Sequence, residues 1–327
     1  MAQPRVAILG LGIMGAGMAG RVLSAGFPLT VYNRNRDKAK ALASGGATVA
    51  ATPREAAANR DIVLSMVADD AASRDVWLGE NGALAGARKG AVLIESSTLS
   101  VPWIRELAAA AAGRGCELLD APVTGSKPHA ASGELLFLVG GSESALAAAR
   151  PVLAVMSRDI VHLGPTGSGA LLKLINNFLC GVQAASLAEA TALIDAGGLD
   201  RQKAVAVLTN GAPGSPLIKV LSARAASGDF SPNFLLRLMA KDIGYAQAEG
   251  ARDGVALQTA GAALAVFKNA IESGRGDQDF AAVPGAGQGG KNLRMEKLAL
   301  DHPSIVVSGT RCIKYWNTGQ TYEQNCR

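Results

Sequence analysis

Gly10-Leu11-Gly12-Ile13-Met14-Gly15 constrains the fold of this chain more than any other stretch of its 327 residues. The three glycines stand directly behind a strand-forming run, Arg5-Val6-Ala7-Ile8-Leu9, and open a helix-forming stretch at residues 15–25. In a strand–turn–helix unit the first glycine permits the tight turn and the second lets a pyrophosphate approach the backbone. The third lets helix pack on strand. The unpaired N–H groups at the helix start then face the phosphate. The spacing alone is common by chance in a chain with 39 glycines; the strand before it and the helix behind it give it meaning.

The alternation continues. Strands are predicted at residues 6–9, 29–32, 62–66, 91–95, 117–120 and 135–139, with helices at 15–25, 36–43, 54–59 and 101–113 between them. Short β-branched runs alternating with Ala-rich helical stretches predict an α/β fold, a doubly wound parallel sheet. A helix at 143–156 and a short strand at 160–162 complete this part. From Gly164 the texture changes. Gly164-Pro165-Thr166-Gly167-Ser168-Gly169 is a turn-rich joint before a long apolar helix, followed by helices at 200–209, 215–225, 234–249 and 257–273 with no strand between them. The expected domains are therefore 1–163, a dinucleotide-binding sheet, and 164–283, an all-helical second domain opening with an interdomain helix at 166–196. Residues 284–327 form a linker, beginning Pro284-Gly285-Ala286-Gly287-Gln288-Gly289-Gly290, and an irregular tail. The tail shows no amphipathic period and reads either as an interaction segment or as residues foreign to the natural protein.

Composition narrows the partners. Apolar residues make up 49% and charged residues 18%, a globular balance, and no uninterrupted apolar run reaches the roughly 18 residues of a membrane helix. The first strand begins too near the start to leave room for a signal peptide, so the cytoplasm is the expected address. Cys116, Cys180, Cys312 and Cys326 form neither a CxxC pair nor a His/Cys cluster, which predicts free thiols and no metal. His129 and His162 have no acidic partner at a telling spacing and are read as structural. The net charge of +5 is spread over scattered Lys and Arg with no basic face. That argues against nucleic acid and suits an anionic small molecule.

The end of the second strand bears on the cofactor. An NAD enzyme of this fold usually places an acid about 20 residues beyond the glycines to grip the ribose hydroxyls. This chain has Val31-Tyr32-Asn33-Arg34-Asn35-Arg36 there. With no carboxylate, an amide at Asn33 and a guanidinium at Arg34 able to stack on adenine and bind a 2′-phosphate, the expected cofactor is NADP (NADPH).

Four blocks, in order, carry a family resemblance: GLGIMGAGMA at 10–19, DAPVTGSKPHAASGEL at 120–135, GPTGSGALLKLINN at 164–177 and MAKDIGYA at 239–246. Together they resemble the β-hydroxyacid dehydrogenases, a family that includes 3-hydroxyisobutyrate dehydrogenase, tartronate semialdehyde reductase and glyoxylate/succinic semialdehyde reductase. The resemblance runs from about residue 5 to 283 and implies a Rossmann-type first domain.

In the third block, Lys173 and Asn177 stand at i and i+4, on one helix face. A lysine inside Leu171-Leu172-Lys173-Leu174-Ile175 is costly unless it meets a polar cleft or a partner, and desolvation suits it to proton transfer. The resemblance makes Lys173 the group that protonates a carbonyl oxygen and Asn177 its positioning partner. Thr124-Gly125-Ser126 would cradle a substrate carboxylate. The family usually has Ser-Gly-Gly there; the Ser126-Lys127 variant looks like the glyoxylate/succinic semialdehyde reductase branch. By the same resemblance Asp242 helps close the active site, Phe234 is an aromatic wall and Lys241 approaches the cofactor. Met66, Val67 and Thr98 would contact the nicotinamide half. The implied substrate is a small carboxylated aldehyde or its hydroxy acid. The alternative is a 3-hydroxyisobutyrate- or tartronate semialdehyde-type dehydrogenase. An imine reductase or a non-catalytic cofactor-binding protein would be expected to lack the lysine. A homodimer or homotetramer is expected from the small-residue-rich helical domain.

Overall fold

The computed structural model describes residues 3–287 and three further strands at 304–308, 311–315 and 321–325. The first half runs β1 (Val6–Leu9), α1 (Gly15–Ser24), β2 (Leu29–Tyr32), α2 (Lys40–Ser44), β3 (Thr48–Val49), α3 (Pro53–Ala57) and β4 (Ile62–Ser65). It continues through α4 (Asp70–Leu78), α5 (Ala83–Gly86), β5 (Val92–Glu95), α6 (Val101–Gly113) and β6 (Glu117–Asp120). After these come β7 (Val123–Thr124), α7 (Lys127–Ser132), β8 (Leu135–Gly140), α8 (Glu143–Ala154) and β9 (Ser157–Gly164).

These strands form one sheet in the order β3-β2-β1-β4-β5-β6-β8-β7, with β9 against β8. From β3 to β6 every pairing is parallel, a Rossmann-type doubly wound sheet. All four residues of β1 are fully buried, because helices cover both faces. Val6 and Ile8 enter one core with Leu119 and Phe137; Ala7 and Leu9 enter the other with Trp77, Leu93 and Trp103.

The parallel expectation stops at β8, which runs antiparallel to β6 and β7. A parallel return needs a crossover back to the far end of the sheet. Here the six-residue α7 packs against α1 instead, and the chain re-enters the sheet from the end where it left. Sequence patterning also missed β3, β7, α4, α5 and α7. The start of α4 had a cue: Asp69 accepts the Ala72 N–H at 2.8 Å, an acid serving as N-cap. The helix expected at 36–43 divides into a 3₁₀ turn, Arg36–Ala39, and α2.

The helical half comprises α9 (Ser168–Ala196), α10 (Arg201–Asn210), α11 (Pro216–Ser227), α12 (Leu236–Arg252) and α13 (Gln258–Ala270). The 29-residue α9 is its axis: α12, α13 and a 3₁₀ turn at Phe280–Gly287 pack on it, and its start lies on β8. Gly169 sets that approach, since a Cβ there would collide with the Leu138 carbonyl oxygen. Counting uninterrupted apolar runs understates α9. An 18-residue window reaches a mean hydropathy of 1.3, so by length and composition the helix could cross a membrane. Here 39% of that window is buried, and its inner face carries Lys173 and Asn177.

The helix expected to reach residue 273 ends earlier, in a π-type turn at Ile271–Arg275 whose Gly274 has φ 80°. The 3₁₀ turn Phe280–Gly287 runs past the expected start of the linker, and residues 288–290 lie outside the described residues. The stretch expected to be irregular contains β10 (Ser304–Ser308), β11 (Arg311–Tyr315) and β12 (Thr321–Asn325), a small antiparallel sheet of its own.

Candidate active site

The glycine loop connects β1 to α1. Gly10 takes φ 98°, and a Cβ on it would collide with the Met66 carbonyl; one on Gly15 would collide with the Gly10 carbonyl. Packing thus accounts for both. It does not account for Gly12, whose Cβ would meet nothing within 4 Å, leaving the loop backbone open to a close-approaching group. Leu11 is buried while Ile13 and Met14 are part-exposed. The first turn of α1 carries no acid and no side-chain cap. An open backbone and an uncapped helix start fit a pyrophosphate. Asn33 braces the loop, its Oδ1 accepting the Leu11 N–H at 2.8 Å and its Nδ2 donating to the Asn35 carbonyl. Arg34 is exposed beside it. The nearest following acid, Asp37, pairs with Lys40 at 2.7 Å.

Met66, Val67 and Thr98 follow β4 and β5, which are adjacent in the sheet. The Val67 N–H donates to Ser97 Oγ at 2.7 Å, tying the two strand ends together. Glu95, fully buried, accepts from the Ser97 N–H at 2.9 Å.

The start of α9, one turn ahead of Lys173, is held by an acid that sequence reading did not assign. Asp120, at the end of β6 and fully buried, accepts the Gly167 N–H through Oδ1 and the Ala170 N–H through Oδ2, each at 2.8 Å. Gly167 itself has no side chain to cap α9, so a carboxylate from the sheet does so. Lys173 follows Ala170 by three residues and is 9% exposed. Burial pushes its amine below the ordinary lysine value. The Asp242 charge and Cys180 act to raise it, and Lys241 to lower it.

Around it α9 and α12 build a buried polar chain. Asn176 Nδ2 donates to Asn177 Oδ1 at 2.9 Å, and Asn177 Nδ2 donates to Asp242 Oδ2 at 2.6 Å. The other Asp242 oxygen lies 2.8 Å from the Lys241 ammonium, an ion pair off the direction a hydrogen bond needs. Lys241 also donates to the Thr98 carbonyl at 2.6 Å and sits 4.7 Å over the Tyr245 ring. The structure thereby brings Lys173, Asn177, Asp242, Lys241 and Thr98 into one cluster.

Thr124 lies in β7 and Gly125 and Ser126 follow it, with Gly125 at φ 122°. The Ser126 N–H and Oγ both reach His129 Nδ1, at 3.1 and 3.0 Å. His129 therefore organises this turn, and His162 bonds the Gly141 carbonyl at 2.8 Å. Phe234 precedes α12 and packs edge-on against Phe280 with ring centroids 5.6 Å apart. Its N–H and that of Asn233 donate to the buried carboxylate of Asp279. Among the described residues no cluster of three or more His, Cys, Asp or Glu is arranged to hold a metal.

Two family models match this chain. Residues 5–164 match the NAD binding domain of 6-phosphogluconate dehydrogenase, and residues 167–285 match the NAD-binding region of NADP-dependent 3-hydroxyisobutyrate dehydrogenase. The NAD-dependent L-serine dehydrogenase of Pseudomonas aeruginosa is 35% identical over 85% of this chain and 96% of its own. Glyoxylate/succinic semialdehyde reductase 2, chloroplastic, of Arabidopsis thaliana is 34% identical over 85% of this chain and 78% of its own. The chain belongs to the β-hydroxyacid dehydrogenase family. A solved structure agrees: Mycobacterium tuberculosis 3-hydroxyisobutyrate dehydrogenase with L-serine has a TM-score of 0.79 and 33% identity, covering 88% of this chain and all of that one.

As a β-hydroxyacid dehydrogenase it has NAD(P)-binding regions. Sequence reading did not single out the buried acids Asp120, Glu95 and Asp279, each of which accepts backbone N–H groups beside the candidate site. The available signal was a carboxylate within or beside an apolar run, which must find donors inside the fold.

Proposed function

We propose that this chain is an NADP-dependent reductase that interconverts a small carboxylated aldehyde, such as glyoxylate or succinic semialdehyde, and its hydroxy acid. The observation that carries the reading is Lys173: a desolvated amine with a lowered pKa, beside the Asn177–Asp242 pair on the buried face of α9. A bound nicotinamide cofactor supplies the hydride in reduction and takes it up in oxidation. Gly10–Gly15 with the α1 start would hold its pyrophosphate, Asn33 and Arg34 its adenosine end, and Met66, Val67, Thr98 and Lys241 its nicotinamide half.

Lys173 gives its proton to the carbonyl oxygen in reduction and accepts it back from the hydroxyl in oxidation. Asn177 has its amide oxygen committed to Asn176 and one amide hydrogen to Asp242. Its second N–H remains to hold the substrate oxygen in register with the amine. The Thr124 hydroxyl with the Gly125 N–H takes the carboxylate, the Ser126 N–H being given to His129, and Phe234 limits the chain beyond it. The plant relative's name supports this substrate class. The L-serine named with the bacterial relatives supports a second reading, a dehydrogenase of branched or substituted 3-hydroxy acids, to which the 3-hydroxyisobutyrate and tartronate semialdehyde types belong. The exposed Leu172, Ile175 and Leu179 on the outer face of α9 suit a homo-oligomer.

The test is a steady-state comparison with NADPH and NADH. Succinic semialdehyde and glyoxylate should be reduced, and butyraldehyde, of similar length without the carboxylate, should be poor. Equal turnover of butyraldehyde would remove the carboxylate cradle. Faster oxidation of 3-hydroxyisobutyrate or L-serine than reduction of either aldehyde would favour the second reading.

A further inference from the structure

One buried acid near the cofactor loops takes no part in the chemistry above. Glu95 ends β5, is fully buried and has no ion-pair partner among the described residues. Its Oε2 accepts from Ser73 Oγ at 2.6 Å and from Trp77 Nε1 at 2.8 Å, while its Oε1 accepts the Ser97 N–H at 2.9 Å. Ser73 Oγ is itself fixed by Trp103 Nε1 at 2.9 Å. The three donors come from α4 and the turn after β5, and α6 is tied in through Ser73, so the carboxylate joins three elements directly or at one remove.

The turn is where this network reaches outward. Ser97 gives its N–H to Glu95, and its Oγ accepts the Val67 N–H from the neighbouring strand end at 2.7 Å. The next residue, Thr98, lends its carbonyl to Lys241 of α12. Burial pushes the Glu95 carboxyl up, opposed by the Ser73, Ser97 and Trp77 hydrogen bonds. A core could fill this space with an apolar side chain more cheaply than with a carboxylate. What the acid adds is direction: it can accept from three donors at once and fix the turn in one orientation.

We propose that Glu95 is a positioning residue for the cofactor, acting through Ser97 to hold Val67 and Thr98 in place. This rests on reading those two residues as nicotinamide contacts. A glutamine at this site has one acceptor oxygen where the carboxylate has two. Either amide orientation then sets an NH₂ against the N–H of Ser97 or of Trp77.

The experiment is a double-mutant cycle on Glu95→Gln and Ser97→Ala, read by the Kd for NADP⁺ and by the KM for succinic semialdehyde. Each single variant should raise the NADP⁺ Kd by about tenfold, Glu95→Gln by upsetting a hydrogen bond to a charged group and Ser97→Ala by leaving the Val67 N–H without its acceptor, and leave the aldehyde KM within about twofold. Because both act through the same turn, the double variant should be little worse than either single one. Trp103→Phe removes only the outer N–H to Ser73 and serves if Glu95→Gln folds poorly; it should move the Kd the same way by a smaller factor. An unchanged Kd in Glu95→Gln, an additive double variant, or Kd and KM rising together would overturn the proposal. A wild-type protein that binds neither NADP⁺ nor NAD⁺ would instead overturn the cofactor assignment of Val67 and Thr98 on which it rests.

Discussion

Asp120 Oδ2 accepts the backbone N–H of Ala170 at 2.8 Å, across 50 residues of sequence. Through this bond the strand that leads into Thr124-Gly125-Ser126 also caps the helix that carries Lys173. The proposed carboxylate site and the proposed proton donor are therefore referred to one rigid point.

Replacing Asp120 by Ala should cost about 2–6 kcal/mol, since two buried N–H groups lose their acceptor at about 1–3 kcal/mol each. Turnover should fall more than NADP⁺ affinity, because both Asp120 side-chain bonds go to the start of α9 and none to Gly10–Gly15 or Arg34. Urea unfolding and NADP⁺ titration on one preparation check both. A stable variant with full turnover would show that α9 needs no cap from the sheet.

The cofactor preference follows from the end of β2. With Arg34 exposed and Asp37 occupied by Lys40, NADPH should be favoured over NADH by at least about tenfold in kcat/KM, roughly 1.4 kcal/mol. Arg34→Ala should shrink that ratio mainly through the cofactor's KM. Equal use of both cofactors by the wild type would contradict the assignment.

The glycine loop was legible in the sequence because its meaning is local: strand, turn and helix lie within a few residues. Lys173 and Asn177 were legible for the same reason, as neighbours on one helix face. Asn177 and Asp242 are 65 residues apart and Gly167 and Asp120 are 47 apart. Only the resemblance placed Asp242 at the site, and nothing local to the chain placed Asp120 there. The antiparallel turn of β8 escaped as well, because hydrophobic alternation reports burial and not strand direction. His129, set aside for want of an acid, proved to accept from the Ser126 N–H instead, at the i, i+3 spacing of a capping box with His where Glu or Gln usually stands.

The charges around Lys173 predict opposite shifts in the pH profile. Reduction needs the amine protonated, so kcat should fall as pH rises through its pKa. Asp242 acts to raise that value and Lys241 to lower it. Asp242→Asn should move the fall to lower pH and Lys241→Met to higher pH. Shifts of the same sign in both variants would show that the fall belongs to another group.

The same burial has a signature in stability. At low pH the folded and unfolded chains both carry the Lys173 proton, and the full cost of burying the charge is present. Between the depressed value and the ordinary 10.5 the unfolded chain binds more protons, so this group makes stability rise with pH. Lys173→Met removes that contribution. Its urea midpoint should equal or exceed the wild type's at neutral pH, with a smaller gain toward pH 9.5; a variant much less stable at pH 7 would mean the charged amine is well paired in the fold.

The proton-transfer role itself is tested by single-turnover hydride transfer from NADPH to succinic semialdehyde in Lys173→Ala and Lys173→Arg. Both should bind NADPH nearly as the wild type does. Both should slow by about 10²–10⁴-fold, the usual range for losing a positioned acid, because a guanidinium keeps the charge but cannot release a proton near neutral pH. An arginine variant that keeps most of the wild-type rate would show that Lys173 only attracts the substrate and that the proton comes from elsewhere.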